Sequence, residues 1–346
     1  MSGPIDVDGP DGPESRVAPS MNRRAFLKRL AGASAVAVGT CGLGAVLYDR
    51  AGPPPLPEQM ALSGLGDFSL KDIAQGRPGL AVVRGTDRGA MFEQGVQALG
   101  GMESFVGKGD QVLIKVNAAF ASSAALGATT HPDLLTAVAS ACLKAGATRV
   151  SVTDNPINNP ESCFEITGLA AAARQAGAGI VIPRTSLFAP ATLPGARLIK
   201  DWPVLSGAFK GVTKVIALAP VKDHARAGAS MLLKNMYGLL GGRRNVFHQD
   251  INGIITELAL LLRPTLSVLD GTVSMMANGP TGGSMSDLKA TGTLIVTRDP
   301  VAADALGAEL LGRTLEDIPY IRMAQDAGAG TADYKSLNPL YLDSGA

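Results

Sequence analysis

The chain is poor in the residues that most often announce a chemistry. It has 3 cysteines in 346 residues. One of them, Cys41, lies in an N-terminal uncharged run, which leaves Cys142 and Cys163. An iron–sulfur cluster takes about four thiolates, so no such cluster is expected in this chain. The two remaining thiols are compatible with a disulfide in an oxidising compartment or with buried free cysteines. Aromatics make up 4% of the sequence, with 1 tryptophan, too few for an aromatic carbohydrate platform. Lys and Arg number 31 against 30 Asp and Glu. That balance gives no basic surface for nucleic acid. Several motifs are also missing: the Gly-x-Ser-x-Gly elbow, the phosphate-loop consensus, a dinucleotide glycine fingerprint, and the His-x-x-x-His and His-Glu-x-x-His metal patterns.

What is present begins at the N-terminus. Arg23-Arg24 leads, through Lys28 and Arg29, into a run from Leu30 to Leu47 without a charged side chain. A basic start followed by a weakly apolar Gly/Ala-rich helix has the form of a twin-arginine export signal. The expected location is the periplasm or the extracytoplasmic face of a membrane. No clean small-x-small cleavage site follows the run, and about 18 residues of helix just span a bilayer. An uncleaved anchor through Leu30 to Leu47 is therefore expected. Pro53-Pro54-Pro55 then forms a stiff tether. Residues 1–55 read as leader and linker, and residues 56–346 as the globular domain.

That domain alternates short β-rich runs with helical patterns. Strands are expected at 80–83, 111–116, 149–153, 179–182, 214–218, 265–269 and 293–297, mostly near-continuous apolar runs suited to strands covered on both faces. Helices are expected at 132–145, 249–262 and 300–311. Each has a start signal, a stop signal, or both, from Pro132, Gly146, Pro264, Asp299-Pro300 and Gly312. The alternation implies an α/β fold with a layered, mostly parallel sheet flanked by helices. Ligands in such sheets sit beyond the carboxyl ends of strands.

Polar residues gather at those ends. Lys115 and Asn117 close one strand, Lys222-Asp223-His224 follow another, and Asp270 closes a third. Lys234 and Asn235 lie in a short apolar segment, Arg243-Arg244 follow a Gly-Gly pair, and His131 and His248 stand at helix starts. Lys115 and Lys234 sit inside apolar runs, where an unpaired ammonium is costly. Each calls for a partner carboxylate, with Asp223, Asp250 and Asp270 as candidates, or for a bound anion. These residues suggest one cleft for a small anionic ligand or cofactor. In it, Lys222, His224 and His248 are the candidates for acid–base chemistry. Lys115, Asn117, His131, Lys234, Asn235, Arg243 and Asp270 are the candidates for binding. The same histidines with Asp223 or Asp270 would be the donors of a competing nitrogen/oxygen metal site and of metal-assisted hydrolysis, although no ligand spacing marks one. A noncatalytic subunit of a membrane-bound respiratory or photosynthetic complex is the other alternative.

The ordered motifs resemble the family called domain of unknown function 362. They are Val112-Leu113-Ile114-Lys115-Val116-Asn117, Thr130-His131-Pro132-Asp133, Lys222-Asp223-His224, Leu233-Lys234-Asn235-Met236-Tyr237-Gly238, His248, Leu269-Asp270-Gly271, Asn278-Gly279-Pro280 and Arg298-Asp299-Pro300-Val301-Ala302-Ala303-Asp304. The resemblance implies an exported protein of the kind that carries a twin-arginine leader, and it implies no reaction. Other members carry a ferredoxin-type segment, which this chain lacks. The family usually has Lys-Thr-His where Lys222-Asp223-His224 stands, and often Lys-Pro-Asn where Lys115-Val116-Asn117 stands. Asp223 would add a carboxylate ligand or neutralise Lys222.

Overall fold

A computed structural model describes residues 23–47, 65–70 and 78–345, with side chains of the first segment described to residue 40. The Pro53-Pro54-Pro55 tether lies outside the described residues, as do the side chains of the last seven residues of the 30–47 run. The chain divides into two compact units, Met1–Leu56 and Pro57–Ala346. In the first, α1 (Arg23–Leu47) is one continuous helix. Among the described residues no helix is long and apolar enough to cross a membrane.

The second unit is built on a mostly parallel sheet. Its strands are β1 (Leu80–Arg84), β2 (Gln111–Lys115), β3 (Arg149–Thr153), β4 (Gly179–Ile180), β5 (Lys214–His224), β6 (Gly228–Ser230), β7 (Leu266–Met275), β8 (Leu288–Thr297) and β9 (Leu340–Asp343). Their spatial order is β9-β1-β8-β7-β5-β2-β3-β4, with β6 paired to β5 as an antiparallel hairpin. Among the strands in that order, β8 alone runs against its neighbours.

Side-chain alternation sorts the core into two layers. Leu113, Val215, Ala217, Ala219, Leu269 and Ile295 face α7 (Ile251–Leu261), α8 (Pro300–Leu310) and α9 (Pro319–Asp326). Val112, Ile114, Ile216, Leu218, Val268 and Val296 face the other way. There they meet α2 (Arg88–Ala98), α3 (Pro132–Lys144) and α5 (Leu169–Gln175). The short α4 (Pro160–Ile166) precedes α5, and α6 (Leu232–Asn235) follows the β5–β6 hairpin. Cys142 on α3 and Cys163 on α4 are both buried free thiols. Burial raises them to about 12 and about 11 respectively.

Three strands run further than their apolar cores suggest. β5 continues past Leu218 for an eleven-residue total, because β6 supplies a new partner for its polar end. Lys222 pairs with Ser230, Asp223 with Ala229 and His224 with Gly228. Pro220, which has no N–H to give, sits where the ladder to β7 is interrupted between Asp270 and Met275. β7 and β8 likewise extend as a long antiparallel pair with an irregularity between Gly271 and Val273.

The order of strand addition reverses between the parallel strands β2 and β5. The strands following β2 build outward to one edge through β3 and β4, whereas β5 lies on its other side. The carboxyl ends of β2 and β5 thus meet at a topological switch point, the usual ligand position in open α/β sheets.

Candidate functional site

A cavity of about 840 Å3 opens at that switch point. Asn117, Lys222, His224, Lys234, Asn235 and His248 all line it, together with Asp154, Tyr237 and Arg244. Six of the residues singled out from the sequence therefore converge.

Lys115 lies beneath rather than in the cavity. Its fully buried Nζ is 2.8 Å from Asp154 Oδ1 and donates to Asn235 Oδ1 at 3.0 Å and to the Val116 carbonyl at 2.7 Å. Burial lowers its pKa, and the adjacent Asp154 carboxylate opposes that. The other oxygen of Asp154 accepts from Ala118 N at 2.7 Å, and Asn235 Nδ2 donates to the Leu218 carbonyl at 3.0 Å. Lys115, Asp154 and Asn235 form a closed, neutral brace tying β2, β3, β5 and α6 together. Gly238 is fixed by this brace. A Cβ there would sit 1.9 Å from Asp154 Oδ1, so no larger residue fits without breaking the ion pair.

The expected carboxylate partners are engaged elsewhere. Asp223 pairs with Arg313 at 2.5 Å and accepts from Gly279 N at 2.9 Å, so it does not neutralise Lys222. Asp250 pairs with Arg197 and caps α7 through Gly253 N. Asp270 pairs with Arg88 Nε at 2.7 Å. Asp270 and His131 do not reach the main cavity. They line a separate pocket of about 110 Å3 with Arg88 and Thr129. His131 serves there as the cap of α3, its Nδ1 accepting from Asp133 N at 3.3 Å. Arg243 is exposed and does not line the cavity, whereas Arg244 does.

Two ammonium groups in the cavity are left without a carboxylate. Lys222 Nζ donates to the Ala128 carbonyl and lies 5.2 Å from the Phe120 ring centroid. Burial, and then Lys234 and Lys115 as like charges against an opposing contribution from Asp154, lower it from 10.5 to about 7. Lys234 Nζ lies 5.1 Å from the Tyr237 ring centroid, and burial and Arg244 bring it to about 8. Among the described residues neither lysine has an ion-pair partner. Arg244 is spent on backbone, donating to the carbonyls of Tyr237, Leu240 and Pro156 at 3.2, 3.3 and 2.9 Å.

The two histidines of the cavity are held in opposite tautomers by their partners. His224 Nδ1 accepts from Arg226 N and Ala227 N, both at 3.2 Å, so its neutral ring carries the proton on Nε2. His248 Nδ1 lies 3.2 Å from the Asn245 carbonyl and 3.3 Å from the Tyr237 hydroxyl, whose own proton goes to the Arg244 carbonyl, so a proton on Nδ1 suits both neighbours and leaves Nε2 as an acceptor. The rings stand 6.3 Å apart and nearly parallel. Burial and the charges of Lys234, His248 and Lys222 lower His224 to about 3. Burial and Lys234 also lower His248.

Distant parts of the chain position these groups. Asp304 on α8 is fully buried and accepts from Leu232 N at 2.9 Å and Leu233 N at 3.0 Å, anchoring the start of α6 two residues before Lys234. Asp299 caps α8 through Val301 N and Ala302 N. The loop around Gly279 is tied down rather than free. Its Cβ would lie 1.9 Å from the Asp223 carbonyl, and Pro280 forms part of the cavity wall. Among the described residues no group of three His, Cys, Asp or Glu side chains is placed to hold a metal ion.

Residues 112–309 match the family described as Domain of unknown function (DUF362). The chain belongs to this family. A curated relative is the "Thylakoid-associated protein sll1697" of Synechocystis sp. (strain ATCC 27184 / PCC 6803 / Kazusa). It is 27% identical over 244 residues, covering 67% of this chain and 73% of the relative. No solved structure matches the chain. The matched stretch of the DUF362 protein contains the brace, both cavity lysines, both cavity histidines and Asp304.

Sequence reasoning overlooked Asp154 as the partner of Lys115. The signal was present, since parallel β2 and β3 place Lys115 beside Thr153 and the next residue is Asp154. Tyr237 lay within the motif around Lys234 but was not singled out, and the wall around Phe188 carried no recognisable signal.

Proposed function

We propose that this DUF362 protein is delivered by the twin-arginine route and works outside the cytoplasm, where its cavity binds a small anionic ligand or cofactor. The observation that carries the reading is the pair Lys222 and Lys234 in one cavity whose lining carboxylate, Asp154, is engaged by Lys115. An anion seated between them would supply the missing countercharge and restore both lysines toward their ordinary protonation. His224 offers an N–H and His248 a lone pair. A ligand beside the two rings would accept a hydrogen bond from the first and donate one to the second, with His248 able to take a proton as a base. Arg23-Arg24 and the uncharged helix after it support the export route.

Sulfate is a simple probe because it does not titrate near neutrality. A site filled to about 100 times its Kd adds about 2.7 kcal/mol of stability, read as a rise in unfolding temperature. In Lys234→Met the aliphatic volume stays and the charge goes. The variant should fold and lose the sulfate-induced rise. An equal rise in the variant refutes this assignment of the site.

A second reading draws on the curated relative. A thylakoid-associated relative favours a role as accessory subunit of a membrane complex. Native mass spectrometry of the protein taken from its own membrane separates the two, by a retained partner chain in one case and a retained small anion in the other.

A further inference from the structure

Burial in the cavity runs opposite to the usual order. Lys222 is 1% exposed, His224 5% and Lys234 9%, while Ile157 at the mouth is 67% exposed. Ammonium groups ordinarily stay in water and large aliphatic side chains leave it. Besides polar side chains such as Asn117, Asn155, Ser230 and Asn245, the lining includes Pro156, Pro183, Pro203 and Phe188. Proline has no N–H to donate, so this group of residues favours an apolar part of a ligand. Arg184 and Thr185 complete the rim and reach solvent. At about 840 Å3 the cavity is also far larger than a tetrahedral anion requires and lies in the range of sites for drug-sized ligands.

We propose that the ligand is an amphiphilic anion, with its charged head on Lys222, Lys234 and His224 and its apolar body against Phe188, the wall prolines and Ile157. This rests on the anion reading above and adds the chemical class of the body. A phosphate or carboxylate head would reach the buried lysines, and the hydrocarbon would replace water along Phe188, the prolines and Ile157. Ile157 would then be covered by the ligand. Its position is set by its backbone, where Ile157 N donates to the Ala119 carbonyl at 2.9 Å.

The test is a titration of the whole exported chain with methyl, butyl and octyl phosphate, followed by calorimetry. Each methylene that enters the cavity should tighten binding by about fourfold, until the chain outgrows the mouth. Phe188→Ala and Ile157→Ser should each shrink the octyl-to-methyl ratio and leave methyl phosphate binding unchanged. Ile157 is exposed and Phe188 is half-buried against the edge of the core, and the methyl phosphate affinity reports that the floor is intact in each variant. Equal affinity for all three phosphates overturns the amphiphile and leaves the anion site standing. Absence of binding by any of the three, with sulfate also silent, overturns both. Co-sedimentation with vesicles containing phosphatidic acid, run in parallel, identifies the source. Co-sedimentation that octyl phosphate displaces assigns the ligand to a lipid. A chain-length gain without co-sedimentation assigns it to a soluble amphiphile.

Discussion

Anion binding in this cavity should draw protons from solution, and the amount follows from the two lysines. With Lys222 near about 7 and Lys234 near about 8, the empty site at pH 7.5 carries about one proton between them, roughly a quarter on the first and three quarters on the second. An anion between them favours the doubly charged form, so binding takes up about one proton at pH 7.5. At pH 6 both lysines are already charged and uptake falls to about 0.1. At pH 9 both are neutral and uptake approaches about two protons. His224, held at about 3, adds nothing over this range. The perturbation is addition of sulfate. The assay is calorimetry in buffers of different ionisation enthalpy, whose slope of apparent heat gives the protons exchanged. The same lysines set a stability trend in the absence of anion. A lowered folded pKa means the unfolded chain holds more protons between about 7 and 10.5, so stability due to Lys222 rises with pH across that window. In Lys222→Met that part of the slope should vanish. Sulfate binding with no proton uptake at pH 7.5 or 9 would refute the claim that the two ammonium groups are unpaired in the empty site.

Three other perturbations follow from the brace, the anchor of α6 and the leader. Gly238→Ala places a Cβ 1.9 Å from Asp154 Oδ1 and forces the Lys115–Asp154 pair apart, at a cost of about 3–5 kcal/mol. Urea denaturation reads that loss, and a change under about 1 kcal/mol contradicts the close approach. Asp304→Ala leaves two buried backbone N–H groups, those of Leu232 and Leu233, without their acceptor. A loss of about 1–3 kcal/mol per group is expected, with weakened sulfate binding because Lys234 rides on the same short helix. Arg23→Lys combined with Arg24→Lys keeps the charge and removes both guanidinium groups. Fractionation should then find the protein in the cytoplasm, and unchanged localisation refutes the twin-arginine assignment.

The layered α/β architecture was legible because strands buried on both faces read as continuous apolar runs, and each expected run overlaps an observed strand, although Val116, Val181, Ile182 and Thr265 fall outside them. The polar extensions were not legible. Lys222, Asp223 and His224 look like a loop until Gly228–Ser230 is seen folding back to pair with them. Such pairing depends on a partner ten residues away or less, but nothing in the composition of either segment marks it as strand. Within the site, the residue types that are expensive to bury were the informative ones. Lys115 and Lys234 demanded compensation, and both proved buried. The choice among carboxylates failed because Asp223, Asp270 and Asp250 each met an arginine from a remote segment, Arg313, Arg88 and Arg197 respectively. Long-range pairing of that kind has no local sequence signature. His131 was grouped with the other histidines because it also stands at a strand or helix end, yet β7 and α3 carry Asp270 and His131 to a neighbouring pocket.

Floor and mouth of the cavity come from different kinds of structure. Lys222 and His224 belong to the central strand, and Asn235 and Asp154 are locked by the brace, whereas Pro183, Phe188 and Pro203 belong to the excursion between Ile180 and Lys214. That excursion makes its own two-stranded pairing, Ala189–Ala191 with Trp202–Val204, outside the main sheet. It is nevertheless built into the core through Ile199, Val204 and Leu205, and it holds the segment after Lys234: Leu205 N donates to the Leu239 carbonyl at 2.9 Å and Gly241 N to the Pro203 carbonyl at 2.8 Å. A change in the outer wall is therefore felt by the helix that carries the charge, so what the mouth admits and how the floor binds it are set together.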